Sequence, residues 1–305
     1  MNEKLAKAFD QLAIQNKGDR WRVRAYKNAA SSLRSHQTTI LSGAQAQKEV
    51  KGIGKSIASK IDELIATGTL TVIEERSEEE KEKDRVTQLF EGIHGVGPVT
   101  AEKWYKMGLK SLEDLIKVHS SMTDAQKLGY HYYYHLQKRI PRAEMDNLAK
   151  VITDAIQTTG AEFMICGSYR RGEESSGDID CLIKGTADVD LSRILDALIR
   201  TRIMVGHLAI GAYKYMGICR LSDKHCARRV DLLIVSEESW PYATLYFTGS
   251  KNLNVQMRAK ALSLGMSMNE HGMQGNGKDY PVKTEQDIFK YLGMKYLEPT
   301  ERSIN

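Results

Sequence analysis

Residues 167–180 read Gly-Ser-Tyr-Arg-Arg-Gly-Glu-Glu-Ser-Ser-Gly-Asp-Ile-Asp, and this stretch decides the fold class and the chemistry that we predict. Asp178 and Asp180 are two residues apart, and in an extended strand such side chains point to the same face. Two carboxylates held that close repel each other unless a cation lies between them, and hard divalent ions favour oxygen ligands. The preceding Gly-Ser turn and arginines offer amide, hydroxyl and guanidinium donors to a phosphate. The stretch therefore predicts phosphoryl transfer.

A third carboxylate occurs in Arg228-Arg-Val-Asp-Leu-Leu-Ile-Val, where we predict that Asp231 begins an apolar strand. The second half of the chain has short β-prone segments at residues 163–166, 178–184 and 230–235. A helical stretch at residues 191–201 lies between the last two of them. This pattern predicts a mixed α/β unit with a small, largely antiparallel sheet, in which Asp231 lies beside the other two aspartates. Phosphoryl transfer with two metal ions needs such a cluster of acids.

Charge is unevenly distributed along the 305 residues. The whole chain has a formal net charge of +5, whereas residues 1–60 contain twelve Lys or Arg and four acids, a net of +8. A localised basic surface predicts a polyanionic partner, with a solvated helical surface as the alternative.

The four cysteines, Cys166, Cys181, Cys219 and Cys226, lack C-x-x-C spacing and indicate a reduced, intracellular protein. The charged N-terminus is not typical of a signal peptide, and no 18-residue apolar run predicts a membrane span.

The first 75 residues have helical periodicity, and a Gly-x-Gly motif within them recurs later in the chain. The copies are Lys51-Gly-Ile-Gly-Lys-Ser-Ile-Ala and Ile93-His-Gly-Val-Gly-Pro-Val-Thr, each followed by an amphipathic helix pattern. Glycine lets the backbone approach a phosphate closely, and the next helix offers free N–H groups. One copy would also fit an ordinary turn between helices, but two copies predict helix-hairpin-helix motifs that grip DNA backbone.

Between the two motifs, residues 74–84 hold seven acids and three bases, which predicts a solvated linker or helix. Residues 111–137 and 145–158 are predicted to be helical. His131 and His135 have the spacing of a metal-binding pair, but no HExxH acid accompanies them. A packed helix surface is therefore our interpretation.

Together, Gly167-Ser-Tyr-Arg-Arg-Gly, Gly177-Asp-Ile-Asp, Asp231 and Tyr246-Phe-Thr-Gly-Ser resemble the family X DNA polymerases. The resemblance extends through both hairpin motifs, Lys138-Arg-Ile-Pro-Arg, Met257-Arg-Ala-Lys-Ala-Leu and Met268-Asn-Glu, so it covers essentially the entire chain. It implies a multi-domain α+β protein with four parts. These are a helical lyase domain (1–78), a helical duplex-binding subdomain (79–138), a catalytic palm (139–245) and a nucleotide-selection subdomain (246–305).

For the catalytic centre, the resemblance implies that Asp178 and Asp180 bind both metal ions. Asp231 would bind the catalytic ion and help to deprotonate the primer 3′-hydroxyl. Residues implied to bind the deoxynucleotide are Ser168, Arg171, Ser176, Gly177, Tyr246, Phe247, Gly249 and Asn254, with Arg139 a more distant basic contributor. Residues implied to contact DNA are Trp21, Arg22, Tyr26, Gly52, Gly54, Gly95, Gly97, Arg229 and Arg258.

Lys60 lies where the family has the Schiff-base nucleophile of a 5′-deoxyribose-phosphate lyase. An amine reacts only when neutral, so neighbouring cations such as Lys55 would help by lowering its pKa. A non-covalent phosphate contact is the alternative role for Lys60, and core packing is the alternative for Tyr246 and Phe247.

The implied cofactors are two Mg2+ ions, with Mn2+ as a substitute, and Na+ or K+ at the hairpin motifs. The implied partners are gapped or nicked DNA, deoxynucleoside triphosphates and other base excision repair proteins. No association with a membrane is expected, and the protein is expected to be a monomer. We expect an intracellular location, nuclear in a cellular eukaryote, with a viral origin left open.

Two other classes of function stay open at this point. A DNA-binding protein with a dead polymerase site would not need the three aspartates, and a template-independent or small-molecule nucleotidyltransferase would not need the two hairpin motifs.

Several residues depart from the family pattern. Trp21 replaces a histidine, and Ser56 and Val72 replace basic residues of the lyase module. Lys251 replaces an acid and Val255 a lysine beside the nascent base pair, which predicts altered mispair discrimination.

Overall fold

The computed structural model describes residues 1–74, 77–185, 191–275 and 277–304. The chain forms two compact units, each described here by itself. The first comprises Met1–Gly92 and Val96–Ile116, and the second comprises Ile93–Gly95 and Lys117–Asn305.

The described part of the first unit is helical, as predicted for residues 1–75. Its α-helices are α1 (Asn2–Gln15), α2 (Arg20–Ser35), α3 (Gly43–Glu49), α4 (Lys55–Thr67), α5 (Thr71–Glu74), α6 (Glu78–Glu91) and α7 (Pro98–Lys106). Leu5, Phe9 and Leu12 recur at helical spacing along α1, and all three are buried in the core between α1, α2 and α4.

Both Gly-x-Gly motifs form turns that lead into helices, which confirms the local prediction. Gly52 and Gly95 have φ of +89° and +82°, a region that favours glycine, and Gly54 and Gly97 are the N-caps of α4 and α7. The acidic segment becomes the start of α6 from residue 78, where Ser77 and Glu80 form a capping box. Residues 75 and 76 of that segment lie outside the described residues.

The second unit begins with helices and continues as an α/β structure. A 3-10 helix, Glu113–Ser121, crosses the boundary between the units. Further α-helices are α8 (Asp124–His131), α9 (Tyr133–Leu136), α10 (Arg142–Gln157), α11 (Gly167–Arg170), α12 (Leu191–Arg200), α13 (Trp240–Thr248), α14 (Lys251–Ser263) and α15 (Glu285–Tyr291). Helix α10 begins three residues before the predicted start, and a second 3-10 helix spans Pro299–Glu301.

Ten strands occur in the described part of this unit. They are β1 (Ile140–Pro141), β2 (Glu162–Ile165), β3 (Ser175–Ser176), β4 (Ile179–Lys184), β5 (Met204–Ile210), β6 (Lys214–Cys219), β7 (Arg228–Val235), β8 (Met266–Met268), β9 (Met273–Gly275) and β10 (Lys278–Asp279). The main sheet has the order β2-β4-β7-β6-β5, while β1 pairs with β3, and β8, β9 and β10 form a third sheet.

The main sheet is largely antiparallel, as predicted, but its central pair β4 and β7 is parallel. In β7, Val230, Leu232 and Ile234 are buried on one face and Asp231 lies on the other, as the alternation of side chains along a strand requires. The prediction that Asp231 begins its strand is wrong. The strand starts at Arg228, which pairs with Cys219 of β6, and an ion pair with Glu144 on α10 allows the Arg228 side chain to be buried there.

All four cysteines are free thiols, and Cys166, Cys181 and Cys219 are buried. Among the described residues, no helix has both the length and the apolar character needed to cross a bilayer.

Candidate active site

The central parallel pair of strands brings the three predicted aspartates together. Asp180 on β4 is the register partner of Asp231 on β7, although 51 residues separate them in the sequence. Asp178 lies just before β4, and its carboxylate accepts a hydrogen bond from the Arg229 guanidinium. Arg229 also places its Nε 3.6 Å from Oδ1 of Asp231. One arginine therefore supplies the positive charge between two of the acids.

The pKa values of Asp180 and Asp231 are both raised. Burial, together with the charges of Asp178 and Asp231, raises the pKa of Asp180 from 3.8 to about 7. Burial also raises the pKa of Asp231, although Arg229 beside it has the opposite effect. Ionisation of Asp180 and Asp231 therefore lowers the stability of the folded protein unless bound cations neutralise the carboxylates.

The donor set fits a hard divalent cation. Oδ1 of Asp231 is buried and makes no hydrogen bond to the described residues. A Cβ on Gly167, whose φ is +61°, would lie 2.6 Å from Oδ2 of Asp180, so only glycine leaves room for this carboxylate. Within the described ranges, no three acidic, His or Cys side chains already converge on one ion position, and Asp178 is hydrogen-bonded to Arg229. An ion bound by all three acids would have to displace that arginine.

Residues 167–178, which we call the Gly-Ser loop, contain the side chains of Ser168 and Arg171 and the backbone at Ser176 and Gly177 that are predicted to hold phosphate. Ser168 lies on α11, and Ser176 lies on β3, with 1% of its surface exposed. Arg139 donates to Oγ and to the carbonyl of Ser175, at 2.7 and 2.5 Å, and so holds the loop next to Gly177. The loop therefore ends directly at the aspartates.

Arg171 joins the Gly-Ser loop to the segment after α13. Its Nη1 donates to the carbonyl of Thr248 at 2.7 Å, and its Nε donates to Oγ of Ser303 at 3.1 Å. Gly249 has φ +72°, and a Cβ there would lie 3.4 Å from the Arg171 guanidinium. The peptide between Gly249 and Ser250 is cis. The predicted phosphate and sugar positions are thus neighbours.

The side chains predicted to select the nucleotide also meet. Asn254 donates from Nδ2 to the carbonyl of Tyr246 at 2.7 Å, and Arg258 donates from Nε to the carbonyl of Asn254 at 3.3 Å. These three residues line one small pocket with Tyr242. Phe247 packs against the core cluster that contains Cys166, so part of its role is packing.

The remaining predicted residues lie mainly in the first unit. Lys60 is half-buried on α4. The pKa of Glu63 is lowered, mainly by hydrogen bonds from Thr71 and to a smaller extent by the positive charge of Lys60. Trp21 on α2 is 80% exposed, as a ring that stacks on a base would need to be.

Two other predicted DNA contacts already have partners in the protein. Arg22 pairs with Asp19 at 3.3 Å, and the ring of Tyr26 stacks on Phe9.

The two histidines singled out in the sequence, His131 and His135, lie on α8 and α9. Nδ1 of His135 accepts a hydrogen bond from the Ala227 amide at 3.0 Å.

Sequence reasoning missed the buried ion pairs of the second unit. Glu285 bridges Arg170 and Arg302, at 2.7 and 2.6 Å, and Arg302 is fully buried. Burial alone would raise the pKa of Glu285, but hydrogen bonds from the two arginines lower it. More than 100 residues separate Arg170 from Glu285, and no local sequence signal links them.

Comparison with protein families matches four models to consecutive parts of the chain. Residues 139–237 match the DNA polymerase beta palm, and residues 243–303 match the DNA polymerase beta thumb. Residues 1–70 match a helix-hairpin-helix domain, and residues 88–137 match the fingers domain of DNA polymerase lambda.

Comparison of the whole chain with known proteins finds two relatives named DNA polymerase and one named nucleotidylexotransferase. DNA polymerase lambda of Rattus norvegicus is 35% identical over 98% of this chain and 55% of its own length. DNA polymerase lambda of Arabidopsis thaliana is 30% identical over 100% of this chain and 62% of its own length. DNA nucleotidylexotransferase of Xenopus laevis is 28% identical, over 97% and 67% respectively. The chain thus spans little more than half of the first relative.

Proposed function

Because this chain belongs to family X of the DNA polymerases, we propose that it is a DNA-directed DNA polymerase that fills short gaps in base excision repair. The observation that carries this proposal is the parallel register that sets Asp180 beside Asp231, directly after the Gly-Ser loop. Acids next to a phosphate-binding loop are what phosphoryl transfer requires.

Family X polymerases generally use divalent metal ions, and Asp178, Asp180 and Asp231 are the side chains that would hold them here. We propose two Mg2+ ions, with Mn2+ as a substitute, because all the donors are carboxylate oxygens. When bound, the ions supply positive charge to the acids, the attacking oxygen and the phosphates. Arg229 then becomes free to leave Asp178 and contact the primer end.

In the proposed reaction, the primer 3′-oxygen attacks the α-phosphorus of a deoxynucleoside triphosphate, and pyrophosphate leaves. Asp231 accepts the proton of the 3′-hydroxyl as the general base. Ser168, Arg171 and the backbone at Gly177 hold the departing phosphates. Their donors lie in one loop, so they are positioned before the substrate arrives.

Nucleotide choice is assigned to α13, α14 and the turn between them. Tyr246, Phe247 and Gly249 form the sugar pocket, where the backbone would crowd a 2′-hydroxyl. Asn254 would contact the minor-groove edge of the incoming base, and Arg258 the template strand. Both α14 side chains already line the small pocket beside Tyr246.

A second activity, 5′-deoxyribose-phosphate lyase, is proposed for the first unit. Lys60 is the nucleophile, since it is half-buried on the helix that follows the first hairpin turn. The hairpin glycines and Trp21 would hold the DNA end, and Na+ or K+ would bind at the hairpin carbonyls. Gapped or nicked DNA, deoxynucleotides and other repair proteins complete the proposed partners, for a monomeric protein in the nucleus of a cellular eukaryote.

The polymerase proposal is tested on DNA with a one-nucleotide gap, in Mg2+. The native protein should add the templated nucleotide, Asp180→Ala should not, and Asp154→Ala should behave as native, because Asp154 is an exposed residue on α10. Templated gap filling is contradicted if the native protein extends only single-stranded primers, or if it extends no primer at all.

The lyase proposal is tested by borohydride trapping on a 5′-deoxyribose-phosphate end. Trapping should be lost in Lys60→Ala and retained in Lys48→Ala, an exposed lysine on α3. Equal trapping by the Lys60 variant would exclude this lysine as the sole nucleophile.

A further inference from the structure

A buried ion pair at the start of β7 joins Arg228 and Glu144, two residues that have no assigned role in the proposed reaction so far. Arg228 is 5% exposed and lies on the core face of β7, opposite the face that carries Asp231. Its Nε and Nη2 donate to the two carboxylate oxygens of Glu144 on α10, both at 2.7 Å. The two side chains therefore meet as a two-point fork, the strongest and most directional arrangement for this pair.

The third nitrogen of Arg228 holds the backbone that leads to the Gly-Ser loop. Nη1 donates to the carbonyl of Lys138 at 2.8 Å and to that of Arg139 at 3.2 Å. The next residues form β1, in which Ile140 pairs with Ser176. Arg139 itself is bonded to Ser175. The Arg228 guanidinium thus holds the segment before β1, and this segment is bonded to the Gly-Ser loop through the Arg139 side chain and the β1–β3 pairing.

On its other side, Arg228 is covalently part of the strand that carries the catalytic acid. Arg229 is the next residue, and Asp231 lies three residues after Arg228 in the same strand, β7. The loop predicted to hold the triphosphate and the carboxylate predicted to take the primer proton therefore share one anchor, although Ser176 and Asp231 lie on different strands.

Stability alone is a weak explanation for this anchor. The desolvation of a buried ion pair offsets most of its attraction, and apolar side chains of similar volume often do as well. What the pair supplies is direction, because four acceptor oxygens are fixed around one planar group.

We propose that Arg228, held by Glu144, is a positioning residue for nucleotidyl transfer, which aligns the Gly-Ser loop with the Asp231 strand. The proposal rests on the polymerase function proposed above. A misplacement of about 1 Å between reacting groups can cost about 100-fold in rate, so loss of the anchor should act on the reaction itself.

The test compares two double variants in single-turnover gap filling. Arg228→Met with Glu144→Met removes both charges and leaves no buried charge unpaired. We expect its rate at saturating nucleotide to fall at least about tenfold, with weaker nucleotide affinity and unchanged affinity for gapped DNA. The matched control is Lys150→Met with Asp154→Met, which removes an exposed ion pair from the same helix and should match the native protein.

Folding is followed separately through Cys219, a buried thiol that is the register partner of Arg228. A folded double variant keeps Cys219 protected from a thiol reagent. The active sites are titrated, so that the rate is expressed per active enzyme molecule. A folded variant with native rate and nucleotide affinity overturns the proposal, as does a parallel loss of DNA affinity, which indicates general disruption.

A conservative variant keeps the test decisive if the double variant does not fold. Arg228→Lys retains the charge opposite Glu144 but loses the two-point fork, and should show a smaller loss of rate in the same direction. Native kinetics in folded Arg228→Lys would then overturn the proposal. Failure of the polymerase function itself is distinguishable, because the unsubstituted protein would not extend the primer.

Discussion

Replacing Asp180 by asparagine should stabilise the metal-free protein while it abolishes nucleotidyl transfer. Burial and two neighbouring carboxylates raise the pKa of Asp180 from 3.8 to about 7. Between these values the folded state binds a proton that the unfolded state does not, so stability falls as pH rises through this window. Above pH 7 the penalty is complete, and at about 1.4 kcal/mol per pH unit it amounts to about 4 kcal/mol. Asparagine is neutral at every pH and escapes it.

The measurement is urea unfolding in EDTA at two pH values. We expect Asp180→Asn to exceed the native protein in unfolding free energy by about 4 kcal/mol at pH 8.5 and about 2 kcal/mol at pH 5.5. Asp154→Asn, at an exposed position, should change stability by less than about 0.5 kcal/mol. Added Mg2+ should stabilise the native protein more than the variant.

The reasoning is refuted if Asp180→Asn is no more stable than the native protein at pH 8.5. It is also refuted if the gain is the same at both pH values, because a pH-independent gain would come from packing and not from ionisation.

Three further predictions concern other parts of the second unit. Gly167→Ala should lower the free energy of unfolding by about 1–2 kcal/mol, because alanine is disfavoured at the positive φ of this position. It should also reduce gap filling, because the new methyl group displaces the Asp180 carboxylate, and native activity would contradict this. Glu285→Ala should cost about 3–5 kcal/mol in urea unfolding at pH 7, because it removes the carboxylate partner of the buried Arg302 and the half-buried Arg170. Since the pKa of Glu285 is lowered from 4.5, the native contribution should be complete above pH 4.5 and lost as pH falls through the lower folded-state value; a constant difference below pH 4.5 would contradict it. Lys251→Asp with Val255→Lys should change misincorporation ratios in gap filling, and unchanged ratios would show that neither side chain packs on the nascent pair.

Local features of the fold could be predicted because their causes are local. The turns at Gly52 and Gly95 need positive φ, and the amphipathic pattern after each glycine repeats every three to four residues. Strands β5 and β6 were not predicted. Their sequences contain Gly206 and Gly217, and register shifts interrupt the β5–β6 pairing, so the alternation of polar and apolar residues is obscured.

The start of β7 shows a different limit. An arginine at the head of an apolar run indicates a strand boundary by composition. Arg228 is nevertheless inside the strand and buried, because Glu144, 84 residues earlier, neutralises it. Long-range pairing of this kind has no signature in the local sequence.

The sequence by itself determined which side chains form the candidate site, since two aspartates at a spacing of two, a Gly-Ser turn and a third acid specify a chemistry by residue type. Only the tertiary structure decided how they are arranged. The parallel register of β4 and β7 sets Asp180 beside Asp231, and Arg229 turns to Asp178. These arrangements depend on backbone hydrogen bonds and burial between segments far apart in the chain, and burial is what raises the pKa of Asp180 and makes the cluster require cations.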